Sequence, residues 1–355
     1  MKINHWFTCV AVAAALVVSC DKNGSGGGSG GGGAGSGAPS GPVTLNGSGS
    51  TFQKQFQEEA IDGFTKANPN IKVNYGGGGS GKGRQDFADQ VSDYACTDGL
   101  YSDADKAKVK GGDFLYFPIL FGAITVSYNL DGVDKLQLSP DTIAKIFQRD
   151  IKKWNDAAIA ADNPGVTLPD ADITVAHRAD GSGTTEQFTK YLMSASPDAW
   201  KLKSGATVEW SPETQAGQGN GGVAQIIKTT KGAIGYVDLP DAKAASLHYA
   251  MVKNQAGKFI EPTSESAQAA GDGVDVKPDL TYVSVNAKGD ATYPITAPTW
   301  CMAYVKYADK NKAAAIKAYF RYMLTDAQGM TKEIDFAPLP KSIQDKAVAQ
   351  LDKIQ

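Results

Sequence analysis

The stretch from His177 to Tyr191, HRADGSGTTEQFTKY, sets the tightest condition on the fold, because it runs a charged pair straight into a glycine-loosened helix start. Ile173-Thr174-Val175-Ala176 reads as the strand that delivers it, and Thr184 to Ser194 takes up a helical pattern with Phe188, Tyr191 and Leu192 on one face. Between the two, Arg178 and Asp180 precede Gly181, Ser182 and Gly183, which leave backbone N–H groups uncovered at the helix N-terminus. Such a terminus carries unpaired donors and a partial positive charge. With the Ser182 and Thr184 hydroxyls and a guanidinium that grips two oxygens at once, the stretch is equipped for a small tetrahedral oxyanion. The same residues also satisfy a plainer reading, a capped helix in which Thr184 and Gln187 form a capping box and Arg178 pairs with Asp180 on the surface.

The pattern recurs. Val43-Thr44-Leu45-Asn46 reads as a strand, and Gly47-Ser48-Gly49-Ser50-Thr51 turns into a helix bearing Phe52, Phe56, Ile61 and Phe64, with Ser50 and Gln53 at capping-box spacing. Ile71 to Tyr75 alternates like another strand and leads through Gly76–Gly83 to a short helix expected from about Arg84. Gly76 to Lys82 matches the first seven positions of a P-loop, but Gly83 stands where a Ser or Thr would reach magnesium, and no acidic metal partner follows. What the loop keeps is bare backbone donors and the Ser80 hydroxyl. Tyr94 to Gly99 reads as a strand ending in a turn, where Asp98 by itself is a turn former.

The first residues read as an export signal: Lys2 supplies a positive start, Trp6 to Val18 is apolar but short for a membrane span, and Val17-Val18-Ser19-Cys20 closes it. That ending resembles a bacterial lipobox, which makes 1–19 a lipoprotein signal peptide and Cys20 the acylated (palmitate-bearing) first residue. Residues 20–42 then form a Gly/Ser-rich tether, since Gly24–Gly41 holds no large apolar side chain; as a flexible coil it spans about 23 Å. Of four cysteines, Cys96 and Cys301 remain for the folded part, either as a disulfide or as two buried thiols.

With 42% hydrophobic and 21% charged residues the chain has material for two cores. Phe114 to Tyr128 is strongly apolar and split by Pro118 and Gly122 into two strand-like pieces, as if the chain left one domain for another; Pro294 to Lys306 is the natural return. Further elements expected are helices at Pro140–Phe147, Val223–Lys228 and Lys312–Leu324 and a buried strand at Gly232–Val237.

A net charge of −3 leaves no footprint for nucleic acid, and basic residues do not alternate with aromatics in any groove-like stretch. Ser182 has Asp180 two positions before it, so the G-x-S-x-G nucleophile elbow fails. His177, ending a strand, reads as structural rather than as part of a Ser/His/Asp constellation. Histidines and cysteines nowhere cluster at metal spacing, so neither a metal nor a cofactor is expected.

Several pieces taken together resemble the substrate-binding proteins of ABC-type phosphate importers: the lipidated export signal, Asn46-Gly47-Ser48-Gly49-Ser50-Thr51-Phe52, Val73-Asn74-Tyr75 with Ser80 in its glycine loop, and Asp98. Arg178-Ala179-Asp180-Gly181-Ser182-Gly183-Thr184, Lys152-Lys153-Trp154-Asn155-Asp156 and Gly232-Ala233-Ile234-Gly235-Tyr236-Val237 complete the likeness, which runs from about Val43 to the C-terminus. It departs at Cys96, at Gly79-Ser80-Gly81 and by one inserted residue before Asp93.

The resemblance implies a two-lobed α/β periplasmic binding protein fold of type II, with 43–121 plus 299–355 as lobe 1, 122–298 as lobe 2, and phosphate in the cleft between them. It implies donors at Thr51, Phe52, Ser80, Ser182, Gly183 and Thr184, the main charge at Arg178 positioned by Asp180, and a proton acceptor at Asp98. It further implies a monomer in the cell envelope, anchored through Cys20, that hands phosphate to the permease subunits of an importer. A secreted phosphatase or a phosphate sensor using the same anion site are the alternatives; the first needs a positioned nucleophile or a metal.

Overall fold

The computed structural model describes residues 39–355. Strand β1 (Val43–Gly49) points Val43 and Leu45 inward and Thr44 and Asn46 outward, the alternation of a strand with one face on a core. Helix α1 (Lys54–Ala67) buries Phe56, Ala60 and Phe64, four residues apart and therefore on one face. Strand β2 (Ile71–Gly77) returns parallel to β1.

Helix α2 (Ser80–Ala88) starts inside the glycine run and not at Arg84. Close packing explains the difference: a Cβ on Gly83 would lie 2.5 Å from the Gly49 Cα, so only a helix turn stripped of side chains can sit this close to β1. Strand β3 (Tyr94–Thr97) is wholly buried, and the short helix α3 (Asp103–Lys106) is capped by Ser102.

Strand β4 (Phe114–Tyr128) runs unbroken, against the expectation of two pieces. Pro118 is accommodated because the register with the neighbouring strand slips opposite it, between Thr299 and Trp300, and a bulge does not need the missing N–H. The strand changes partner midway. Phe114–Ala123 pairs with the late strand Thr296–Tyr304, and Ile124–Tyr128 pairs with Ala233–Asp238.

Beyond β4 come β5 (Gln137–Leu138), α4 (Pro140–Phe147), α5 (Ala157–Asp162), β6 (Thr174–Arg178), α6 (Gly183–Ala195), β7 (Gln215–Gly217), α7 (Gly219–Thr229), β8 (Ala233–Asp238) and α8 (Leu239–Ala244). Strands β9 (His248–Tyr249), β10 (Met251–Lys253) and β11 (Phe259–Ile260), helix α9 (Ser264–Gly271), β12 (Thr296–Tyr304), α10 (Lys310–Leu324) and α11 (Lys341–Gln350) complete the chain. The main sheet has the order β2-β1-β3-β12-β4-β8-β6-β7, with β9 against the end of β4, and β11-β10-β5 form a small separate sheet.

The result is a mixed α/β, two-lobed fold strung on one strand. β2, β1 and β3 run parallel on one side and β8, β6 and β7 on the other, with antiparallel β12 and β4 between. In each parallel set the strands end at helix starts, so α1 and α2 from the first set and α6 and α7 from the second point their N-terminal ends toward the middle. Behind α6, Phe188 stacks on Tyr236 at 4.4 Å and meets Phe147 edge-on at 4.7 Å, which fixes the helix against β8 and α4.

Candidate anion-binding site

The first helix start is held by Ser50. Its hydroxyl donates to Asp98 at 2.6 Å and accepts the Phe52 N–H at 3.1 Å, so the box expected between Ser50 and Gln53 does not form. Gln53 instead turns into the core and bonds Trp300. Tyr75 donates to the Ser50 carbonyl at 2.7 Å, tying β2 to the same turn.

Asp98 follows β3 directly and is 1% exposed. Ser80, the first residue of α2, accepts the Asp98 N–H at 3.1 Å and lies 3.3 Å from its carboxylate. Burial pushes the Asp98 carboxyl from an ordinary 3.8 up to about 6, against the hydrogen bond from Ser50 and the positive charge of Arg178, which hold it down. It therefore titrates just below neutrality.

Arg178 ends β6 with its side chain buried beside Asp180. Nε donates to Oδ1 at 2.8 Å and Nη2 to Oδ2 at 2.5 Å, the bidentate fork geometry, while Nη1 donates to Asn220 Oδ1 at 2.5 Å and lies 3.5 Å from Thr184 Oγ1. One N–H on each terminal nitrogen stays available, the Nη1 one engaged only by the long Thr184 contact. Burial raises Asp180, but the Arg178 bonds and charge and the Gly219 N–H outweigh it and leave the carboxyl below the usual range. The pair is thus buried and charged, which removes the surface reading of Arg178 and Asp180.

Helix α6 is capped by Ser182, whose hydroxyl accepts the Thr185 N–H at 3.1 Å. The alternative box between Thr184 and Gln187 is absent; Gln187 donates to the Asp98 carbonyl across the cleft. Gly183 packs against the other lobe so tightly that a Cβ would lie 2.4 Å from Ser80 Oγ and 2.7 Å from Asp98 Oδ2. Gly81 donates to the Gly181 carbonyl at 2.8 Å, and the Asn220 N–H reaches Thr51 Oγ1 at 3.4 Å. Thr51, Phe52, Ser80, Asp98, Arg178, Asp180, Ser182, Gly183 and Thr184 are therefore brought together, and Cys20 lies outside the described residues.

Three groups at the cage escape a reading of the sequence. Asn220 donates to Asp238 at 2.5 Å and to Thr184 at 3.3 Å while accepting from Arg178, so it fixes both the guanidinium and the hydroxyl. Asp238 is raised well above the usual carboxylate range by burial and by Asp241. Ser50 orients Asp98. The only signal for Asn220 is its place in the glycine turn Gly217–Gly222, one more strand-to-helix junction.

The motif residues outside the cage have local roles. Lys82 pairs with Asp86 at 2.7 Å, one turn along α2, with its side chain mostly in solvent. His177 lies 2.9 Å from the Arg178 carbonyl and stacks on Trp210 at 5.0 Å, and burial lowers its affinity for a second proton. Among the described residues no group of His, Cys, Asp and Glu is arranged to hold a metal, and no helix is long and apolar enough to cross a membrane.

Two lobes strung on one strand, with helix starts from both meeting at a buried arginine, define a solute-binding protein, and residues 36–327 match the model of the PBP superfamily domain. The chain belongs to the phosphate-binding protein PstS family. It is 34% identical to "Phosphate-binding protein PstS" of Xylella fastidiosa over 85% of this chain and 83% of that one. To "Phosphate-binding protein PstS 3" of Mycobacterium tuberculosis it is 32% identical over the whole of both. Among solved structures, a high affinity periplasmic phosphate-binding protein (PfluDING) with phosphate bound has a TM-score of 0.73 at 20% identity, covering 86% of this chain and 93% of that one. A phosphate-bound transporter substrate-binding protein from Clostridium perfringens scores 0.63 at 18% identity, covering 84% and 100%.

Proposed function

We propose that this chain binds inorganic phosphate in the cleft between its lobes and delivers it, outside the cytoplasmic membrane, to the permease subunits of an ABC-type importer. It works as a monomer, anchored through lipidated Cys20 and the tether 20–42. The lobes are 43–121 plus 299–355 and 122–298, a division supported by the partner exchange of β4 after Ala123. Relatives named as phosphate-binding proteins across most of the chain support the ligand.

One observation carries the reading: a guanidinium locked by a carboxylate and a second, buried carboxylate occupy the same cage. Arg178, Asp180 and Asp98 sum to a negative charge when ionised, so the anion is held by N–H and O–H dipoles rather than by net charge. A buried carboxylate next to an oxyanion is tolerable only if the anion brings a proton. Monohydrogen phosphate does, and donates it to Asp98 while its other oxygens accept from Arg178, Ser80, Ser182, Thr184 and the backbone of Thr51, Phe52 and Gly183. Sulfate has no proton to give near neutral pH.

The same geometry favours a binder over a phosphatase. Ser182 Oγ is engaged as a helix cap and the His177 ring is held by the Arg178 carbonyl and Trp210, so neither forms a nucleophile and base pair. Titration calorimetry of the purified chain tests the proposal. Phosphate should bind at one site with sulfate inert in large excess, and Arg178→Ala should weaken phosphate by at least about 2 kcal/mol. Equal affinity for both anions, or an Ala variant that binds as the parent does, would remove the cage as the site.

A further inference from the structure

Cys96 on β3 and Cys301 on β12 are direct register partners across two antiparallel strands, so their side chains leave the sheet on the same face. Their Sγ atoms lie 3.1 Å apart and both residues are fully buried. Directly opposed residues in an antiparallel pair have Cα separations of about 4.5–5.5 Å, inside the range that a disulfide bridges without backbone movement. We propose that in the exported protein Cys96 and Cys301 are joined by a disulfide that clamps β3 to β12 next to the anion cage.

The surroundings accept the oxidised form. Cys301 Sγ is 3.8 Å from Gln53 Oε1 as a weak donor, and that oxygen also receives the Gln57 amide at 3.1 Å, so loss of the thiol proton orphans nothing. Gln57 Nε2 is 3.6 Å from Cys301 Sγ and 3.3 Å from Met323 Sδ, contacts in which sulfur is the acceptor and which a disulfide sulfur keeps.

The step balances as an exchange. One cysteine thiolate attacks a disulfide oxidant, small-molecule or protein, forming a mixed disulfide and releasing one thiol. The second cysteine thiolate then attacks the mixed disulfide, closes the Cys96–Cys301 bond and releases the second thiol, so two electrons and two protons pass to the oxidant. Burial, and next the neighbouring Cys301, push the Cys96 thiol well up, which makes a thiolate inaccessible once the core has closed. Exchange therefore belongs to the folding chain, and the finished bond is shielded from reductants.

Position gives the clamp its use. The Cys96 carbonyl accepts the Ser50 N–H at 2.9 Å, and Asp98 follows two residues later. Fixing Cys96 to β12 thus braces the turn of Ser50 and the strand end that carries Asp98. Closing a loop between residues 205 apart also restrains the unfolded chain, enough to raise the melting temperature by roughly 5–10 °C.

The test uses the full chain exported to a bacterial envelope, unfolded in iodoacetamide without reductant, digested and mapped by mass spectrometry. The expected product is a linked pair of peptides carrying Cys96 and Cys301, two hydrogens lighter than their sum, with neither cysteine alkylated. Carbamidomethylation of both, or linkage of either to another partner, overturns the proposal. In a second arm the chain is reduced in denaturant and refolded with oxidised glutathione, where the link must re-form and the melting temperature exceed that of a reductant-refolded control. Two alkylated cysteines there would show that the geometry itself does not support the bond.

Discussion

At the residue scale the cage is built from groups that cost stability when the ligand is away, and Asp98 shows this most directly. Its folded carboxyl titrates near 6 and its ordinary value is 3.8, so between these pH values the folded protein holds a proton that the unfolded chain has released. Stability therefore falls as pH rises through this window, and above it the full cost of burying the charge is present, about 3 kcal/mol at roughly 1.4 kcal/mol per pH unit. Asp98→Asn removes that cost and keeps an oxygen for the Ser50 hydroxyl. Without phosphate the variant should unfold at higher temperature than the parent at pH 8 and at nearly the same temperature at pH 4. The same change replaces a proton acceptor by an N–H donor, so the preference for phosphate over sulfate should narrow. Thermal melts at the two pH values and sulfate titrations check both halves. An Asn variant as selective as the parent would take Asp98 out of ligand discrimination.

At the scale of elements, the site is a set of strand-to-helix junctions, and glycine decides how closely they meet. Gly183 opens α6 with Ser80 and Asp98 of the other lobe where its Cβ would be. Gly183→Ala adds a methyl that α6 itself tolerates and that only the closed cleft resists, so the effect should fall on binding. Overpacking of this kind costs about 1–3 kcal/mol, and phosphate affinity should drop roughly tenfold to hundredfold while the ligand-free melting temperature stays close to the parent's. Equal losses in both measurements would mean that the glycine serves the helix and not the closure. These junctions were legible in the sequence because their signal is local: apolar runs of period two, a glycine turn, then period near four. The helix at Pro140–Phe147 and the buried strand Ala233–Asp238, one residue from the expected bounds at each end, follow from the same periodicity. What periodicity could not carry was long-range. The α2 start at Ser80 depends on the gap left by Gly49, the continuity of β4 through Pro118 depends on a bulge beside β12, and Asn220 matters only because β7 sits next to β6. Asp98 entered through resemblance; as a residue at the end of a short strand it is indistinguishable from an ordinary turn former.

For the whole molecule the question is what holds the lobes together, since donors from both sides must converge on one anion. Contacts between the two sides include the Gly81 N–H to the Gly181 carbonyl at 2.8 Å, Gln187 to the Asp98 carbonyl, Lys243 to Asp335 at 2.5 Å, and Arg84 to Glu186 at 3.4 Å, the last of which is the ion pair beside the cage. The ion pair is well shielded, with side-chain exposures of 14% and 10%, yet it touches no cage oxygen and Arg84 keeps a 3.0 Å bond to Thr97 without it. Such a pair acts on the equilibrium between open and closed forms and leaves the encounter with the anion alone. Glu186→Gln keeps the shape and removes the charge, raising the closed form relative to the open one by about 1 kcal/mol, a modest value for a pair as long as 3.4 Å. Phosphate should therefore leave roughly fivefold faster with its association rate unchanged, and stopped-flow mixing reads the two rates separately. Small-angle scattering on the same pair of proteins gives the structural half: both should compact on saturation with phosphate, and the Gln variant should need more phosphate to do so. A faster association once this anion-repelling charge is gone would place Glu186 in electrostatic steering instead, and a scattering curve unmoved by phosphate in either protein would count against a hinge at the point where β4 changes partners.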